Sequence, residues 1–186
     1  MPCRELDVSA FVARLAAAEI GSTFNFYRAG DGAAERRERL AGYLRARADA
    51  HVLLVGEAAG YRGARVSGIP FTSERQVTGR PPAEASATIV HRVLAELGAE
   101  EEVLLWNLVP THPHCPRDHG SNRRPMRAEM DAGAPFLDEL ARGRRVVPVG
   151  RLAHKRLGGR YVRHPAHGGA TAFRQGLLDC LRGSAS

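Results

Sequence analysis

Residues 51–74 read HVLLVGEAAGYRGARVSGIPFTSE, and this stretch sets the architecture. Val52 to Val55 form an apolar run bounded by glycine and too short for a helix, which predicts a buried strand. Gly56 ends the run, and Gly60 and Gly63 follow in the turn behind it. Glycines permit positive φ and let a ligand approach the backbone closely. Glu57 then stands at the carboxyl end of the strand, where open α/β sheets bind ligands. Beyond the turn, Ser67-Gly68-Ile69-Pro70-Phe71 cannot continue a helix, because Pro70 fixes its own φ and restricts Ile69. Strand, glycine turn, acid and displayed aromatic together predict a site.

The glycine spacing Gly56-x-x-x-Gly60-x-x-Gly63 resembles the phosphate turn of short-chain dehydrogenases. That motif requires a helix directly after the turn, whose N-terminus holds the pyrophosphate. Gly68 and Pro70 cut any such helix short. The Tyr-x-x-x-Lys pair of those enzymes is also missing, since Arg151 stands four residues before Lys155, the only lysine.

A second resemblance covers more of the chain. Gly56-Glu57-Ala58-Ala59-Gly60, followed by Gly68-Ile69-Pro70-Phe71, resembles motif one of the uracil-DNA glycosylase superfamily, Gly-Glu-Ala-Pro-Gly and then Gly-x-Pro-Phe. Leu105-Trp106-Asn107 is similar to the strand ending in that family's base-reading asparagine. Val147-Pro148-Val149-Gly150 resembles its third strand and turn. His164-Pro165-Ala166 resembles motif two, His-Pro-Ser, and leads into Gly168-Gly169 and a helix start. The segments fall in the family's order across residues 51–182.

Composition is compatible with this. A chain of 186 residues is long enough for one α/β domain with a proper core. Lys+Arg number 27 against 20 for Asp+Glu, a net charge of +7. A basic excess suits a phosphate-rich partner, though an arginine-rich composition can also simply colour the surface. Cys3, Cys115 and Cys180 are scattered and form no disulfide framework, so a reducing cytoplasm is the expected compartment. No apolar run approaches ~20 residues, which predicts no membrane span. The first residues lack the core of a signal peptide.

In chain order, residues 4–19 carry Leu6, Val8, Phe11, Val12 and Leu15 at helical spacing, an amphipathic helix for the body of the fold. Phe24-Asn25-Phe26-Tyr27 is expected to dock this segment on the core; DNA contact is the alternative for these rings. Residues 33–48 predict a charged helix with Leu40, Tyr43 and Leu44 inward and its arginines as a solvated face. Pro81-Pro82 opens a predicted helix to about Leu97, since proline suits a first turn. Val103 to Val109 is strand two. PTHPHCPRDHGSNRRP is a loop too polar and proline-rich to pack as a core element. Met126 to Leu140 is a helix, 145–149 strand three, Leu152 to Leu157 a helix, Tyr161-Val162-Arg163 strand four, and Ala170 to Leu181 the last helix. Strands alternating with helices imply a three-layer α/β/α fold around a four-stranded parallel sheet. One domain over 1–186 is expected, with helices of residues 1–50 packed on a core of 51–182.

The resemblance implies a role for each motif residue. A glycosylase flips a nucleotide out, recognises the base and breaks its N-glycosidic bond through an oxocarbenium-like sugar. Phe71 is implied to be the stacking platform. Gly56, Ala58 and Gly60 are implied to border the base. Asn107 is the implied reader, its amide donating to O4 and accepting from N3–H of uracil, which cytosine cannot satisfy. His164 is implied to lie near O2, where a donor stabilises charge that develops as the base leaves. Glu57 is the implied acid that places water or offsets positive charge on the sugar; as a plain turn residue it would bond the turn's own amides. Tyr61, just past the turn, is assigned to crowd position five of the base, with packing on the sheet edge as the alternative. Arg62, Arg123, Arg124, His167 and the Gly168-Gly169 helix start are assigned to DNA phosphates, with His167 standing where a wedge is otherwise missing.

The departures from the family pattern are specific. Ala59 replaces a proline, Ala166 replaces the serine of motif two, Ala58 stands where another branch has an aspartate, and Gly63 stands where the iron–sulfur branch has a second glutamate. A four-cysteine cluster needs four thiolates, so no cofactor is expected. His112, His114, Cys115, Asp118 and His119 have the density of a zinc site, but their spacing fits no pair-plus-pair pattern. No metal is therefore assigned, and phosphate or loop contacts by these histidines are expected instead. The implied function is monofunctional excision of uracil from DNA by a monomer, releasing free uracil. A non-catalytic nucleic-acid-binding module of the same fold is the alternative, and a nicotinamide oxidoreductase ranks third.

Overall fold

A computed structural model describes residues 6–183; Cys3, and the start expected for the first helix at residues 4–5, lie outside them. Three parallel strands form the sheet, in the order β2-β1-β3. The central strand β1 (Val52–Ala58) pairs with β2 (Val103–Val109) on one side and β3 (Arg145–Pro148) on the other. β1 runs on past Gly56, because its backbone keeps a ladder partner on β2 as far as Ala58 opposite Val109.

The expected fourth strand is reduced to one parallel bridge, Val149 with Val162. Val162 is buried and makes both backbone bonds, accepting from Gly150 at 2.8 Å and donating to Pro148 at 3.1 Å. The pairing cannot extend. Gly158 and Gly159 hold positive φ on one side, Pro165 follows closely on the other, and Pro148 has no N–H.

Strand side chains alternate between two cores, as the period of two requires. Leu53, Val55, Leu104 and Trp106 pack under α1 (Val8–Ala17), α2 (Ala33–Ala46), α6 (Arg127–Ala141) and α7 (Arg151–Leu157). Val52, Leu54, Val103 and Leu105 face α5 (Ala85–Leu97) and α8 (Ala170–Arg182). The helices supply matching stripes, Val90, Val93 and Leu94 on α5 and Phe173, Leu177 and Cys180 on α8. Gly133 brings α6 against β2, since a Cβ there would overlap the Leu108 carbonyl. Tyr43 satisfies the outer edge of β2, its hydroxyl accepting from the Leu105 N–H at 2.7 Å.

Three local expectations change. Pro81-Pro82 stand before α5 and outside it, since Glu84 is still extended at φ −118° and ψ 129°. Two short helices, α3 (Ala64–Ser67) and α4 (Glu74–Thr78), flank Phe71. Of the arginines of α2 only Arg45 is on a solvated face; Arg36, Arg37 and Arg39 are not. Arg36 and Arg37 donate to the Phe26 and Tyr27 carbonyls at 2.7 and 2.6 Å, and Arg39 pairs with Glu74 at 2.8 Å. Arg36 and Arg37 hold residues 24–27 on the core, where Phe26 and Tyr27 are buried and the Tyr27 hydroxyl donates to the Gly68 carbonyl. The docking role expected for that aromatic cluster is the observed one.

Candidate active site

A cleft of about 400 Å³ opens at the carboxyl ends of the strands. Glu57, Ala58 and Gly60 enter it from β1 and its turn, Asn107 from β2, Phe71 from the loop between α3 and α4, and His164 from the segment before α8. The register explains the convergence: Gly56 lies directly opposite Asn107. Gly56, expected to border the base, does not line the cleft but is buried against Phe71 and Asn107. A Cβ there would overlap the Phe71 ring and stand 2.9 Å from the Asn107 side-chain oxygen. Only glycine lets the edge of the aromatic ring and the amide share this point.

Phe71 is held at φ 52°, a left-handed conformation unusual for an aromatic residue. Such strain persists only where the surroundings impose it. Here buried Ser67 donates to the Thr72 carbonyl at 2.7 Å and accepts from the Ile69 N–H at 3.1 Å, while Thr72 donates to the Pro70 carbonyl at 3.0 Å. Asn107 is 4% exposed, yet no group among the described residues hydrogen-bonds its side-chain amide. A buried amide normally has partners. This one keeps its donor and acceptor for the cleft.

Glu57 and His164 lie together at the β3 side. A Cβ built on Gly150 would be 3.6 Å from a Glu57 carboxylate oxygen and 3.6 Å from His164 Cβ. Burial, and then the nearby His167 charge, push the His164 imidazole below its ordinary range, so it is neutral at pH 7. The Ala166 N–H donates to His164 Nδ1 at 3.2 Å. Nδ1 is therefore the acceptor, and Nε2 carries the proton. The ring is a neutral N–H donor, a state that residue types alone do not reveal.

A family model described as the uracil DNA glycosylase superfamily matches residues 43–179. The chain belongs to that superfamily. Among solved structures, wild-type SMUG2 of Pedobacter heparinus superposes with a TM-score of 0.67 over 95% of this chain and 97% of that one, at 13% identity. At that identity the likeness concerns the fold. No curated protein matches the sequence.

In this superfamily member the expected motif residues meet in one cleft, and the rim departs from expectation. Arg123 borders the cleft, but its guanidinium is held by the buried Glu129 at 2.5 and 2.9 Å and by the carbonyl of His114 at 2.9 Å. This arginine anchors the loop that precedes α6, which corrects its assignment to phosphate. Tyr61 does not line the cleft. Its ring carries Arg65 at 4.1 Å and lies 5.8 Å from the His112 ring, while its N–H donates to Asn122 Oδ1. Its ring packs against Arg65 and His112, outside the lining of the cleft where it was assigned. The long loop also packs more deeply than its polarity implied. Thr111 and His112 are fully buried, His112 exchanges backbone bonds with Phe24, and its Nδ1 lies 2.9 Å from the Ala59 carbonyl.

Arg62, Arg124 and His167 are exposed, and of the three His167 borders the cleft. His167 has φ 53° and Gly168 φ 74°, the tight turn that starts α8. Gly169 must be glycine, because a Cβ would overlap the His164 carbonyl. The rings of His114 and His119 lie tilted at 41° with centroids 4.4 Å apart, and neither lines the cleft. Among the described residues no group of three His, Cys, Asp or Glu is placed to hold a metal ion. Cys115 is exposed and Cys180 buried, both as free thiols. No helix of the described residues is long and apolar enough to cross a membrane.

The cleft also holds residues that motif reading missed: Glu84 and Ser86, from the start of α5, and Asn122. The available signal was an acid and a hydroxyl at a helix start, which reads equally well as a cap.

Proposed function

We propose that this chain is a monofunctional uracil-DNA glycosylase that hydrolyses the N-glycosidic bond of deaminated cytosine and leaves an abasic site. The observation that carries the reading is the buried, uncommitted Asn107 amide beside the Phe71 ring. A flipped uracil would stack on Phe71, accept from the Asn107 Nδ2–H at O4 and donate N3–H to Oδ1. His164 Nε2–H would donate to O2, where negative charge grows as the base departs. The C1′–N1 bond breaks, a water oxygen bonds to C1′, and Glu57 positions that water and takes its proton. The base leaves as an anion and picks up a proton from solvent. The +7 net charge and the exposed Arg62, Arg124 and His167 favour the DNA backbone.

Among the described residues no side-chain amine is positioned for a Schiff base. The single lysine, Lys155, is exposed on α7 and does not line the cleft. We place the enzyme in the cytoplasm as a monomer of one domain.

The test is incubation with oligonucleotides carrying uracil, hypoxanthine or xanthine, followed by alkali. Uracil strands should break only after alkali, and borohydride should trap no protein adduct. Uracil strands that bind and stay intact would leave a nucleic-acid-binding module as the function.

A further inference from the structure

Glu84 belongs to none of the recognised motifs, yet its carboxylate faces the same cleft as Phe71, Asn107 and His164. Its seat is the β1 turn. A Cβ on Gly60 would stand 2.5 Å from one carboxylate oxygen and 3.2 Å from the other, and a Cβ on Gly63 would overlap the carboxylate. The two glycines of that turn thus make room for an acid that arrives from a helix over twenty residues later. The backbone is fixed as well. Glu84 caps the 13-residue α5, its carbonyl accepting from both the N–H and the hydroxyl of Thr88 at 3.0 Å.

No cation pairs with this carboxylate among the described residues. Burial pushes its carboxyl up from the ordinary range, and the Ser86 hydroxyl draws it partly back. It retains acceptor capacity directed at the cleft. Burying it against an apolar group would leave that capacity unmet.

The geometry points to Glu84 as a specificity-determining residue: its carboxylate lines the base edge that Asn107 and His164 leave free, excluding a methyl group and holding a substituent that carries a hydrogen-bond donor. The inference rests on the proposed uracil pose. With O4 and N3–H on Asn107, O2 toward His164 and N1 on the sugar, the in-plane edge that remains is C5–C6. We assign to that edge the part of the cleft lining where Glu84 sits on the Gly60–Gly63 turn. Thymine would press its methyl on the carboxylate. A 5-hydroxymethyl group would donate its O–H to it. Glu84 thereby takes the place that Tyr61 was expected to fill.

The experiment compares wild type, E84A and the near-isosteric E84Q in single-turnover excision of uracil, thymine opposite guanine, and 5-hydroxymethyluracil. Binding to oligonucleotides with the non-hydrolysable 2′-fluoro nucleotides of the same bases is measured by fluorescence anisotropy. E84A should raise the thymine-to-uracil ratio about tenfold or more, within the range one methyl commands in a fitted pocket. It should lower the hydroxymethyluracil-to-uracil ratio about tenfold, the loss of one hydrogen bond to a charged group. E84Q should still exclude thymine, since its volume is retained. Unchanged ratios in E84A, or an equal fall for all three bases with both variants, would overturn the inference in favour of a structural acid. If wild type excises no uracil, the proposed reaction fails, and the order of anisotropy affinities in wild type and E84A decides the role of Glu84 separately.

Discussion

Removing the Asn107 amide should separate activity from stability. The side chain is 4% exposed and hydrogen-bonds no group among the described residues, so Asn107→Ala breaks no internal bond. Its cost to folding should stay within about 1 kcal/mol, a shift in Tm of only a few degrees. In the proposed complex the same amide makes two bonds to uracil. Losing both leaves O4 and N3–H unpaired at ~1–3 kcal/mol each, or ~2–6 kcal/mol together. That corresponds to a fall of about 30-fold to about 10⁴-fold in kcat/KM. Asn107→Asp replaces the donor with an acceptor, which suits the amino group of cytosine. A carboxyl buried there has its pKa raised, and its protonated form can donate to cytosine N3. This variant should lose most uracil excision and gain slow cytosine excision, whereas Asn107→Ala gains none. The assay is single-turnover cleavage of oligonucleotides with one uracil or one test cytosine, alongside thermal unfolding. Uracil excision undiminished in both variants would refute the reasoning. So would a large fall in Tm for Asn107→Ala, which would mean that the amide has structural partners.

Three further outcomes are expected. Gly56→Ala should lower uracil excision at least about tenfold and cost ~1–3 kcal/mol, because its methyl would overlap the Phe71 ring; full activity in kinetics and an unchanged Tm would show that the ring is free to move. Glu129→Ala should destabilise by ~3–5 kcal/mol in urea unfolding, since it leaves the mostly buried Arg123 unpaired. Burial raises the Glu129 carboxyl, but Arg123 and the Met126 N–H bring it below the ordinary 4.5, so its contribution is present above that pH and is lost as pH falls through the lowered value; Glu129→Gln should flatten this acid limb. Finally, uracil kcat/KM should hold from about pH 8 down through 6.5 and fall only in more acidic solution, because the active imidazole of His164 is neutral and burial depresses its pKa. A decline already centred at 6.5 or above would point to a different titrating group.

Much of the fold was legible because its signals are local. Val52–Val55 and Val103–Val109 are apolar runs of strand length, and the second was read with its observed ends. Helical stripes such as Phe173, Leu177 and Cys180 show in any window of the chain. Gly68 and Pro70 announced that no nucleotide-binding helix follows the turn, and α3 does end at Gly68 with φ 82°. The resemblance to the family's motifs pointed to Phe71, Asn107 and His164, although β2 runs two residues past Asn107 to Val109. The fourth strand was overread, because Tyr161-Val162-Arg163 has strand composition and composition does not count ladder partners.

What tertiary structure alone decided is where side chains from distant segments meet. Glu84 and Gly60 are neighbours because α5 folds back across the β1 turn, and nothing local to either residue states that. Arg123 was read as a phosphate ligand because an arginine in a polar loop carries an unassigned charge; its partner Glu129 sits on the buried face of α6. Arg36 and Arg37 of α2 turned inward for the same reason, the carbonyls of Phe26 and Tyr27 being the acceptors within reach. The proton on His164 Nε2 depends on a backbone N–H two residues away and on burial by the whole cleft. Periodicity and backbone chemistry are properties of neighbours in sequence. Charge pairing, desolvation and the shape of the base pocket are properties of neighbours in space.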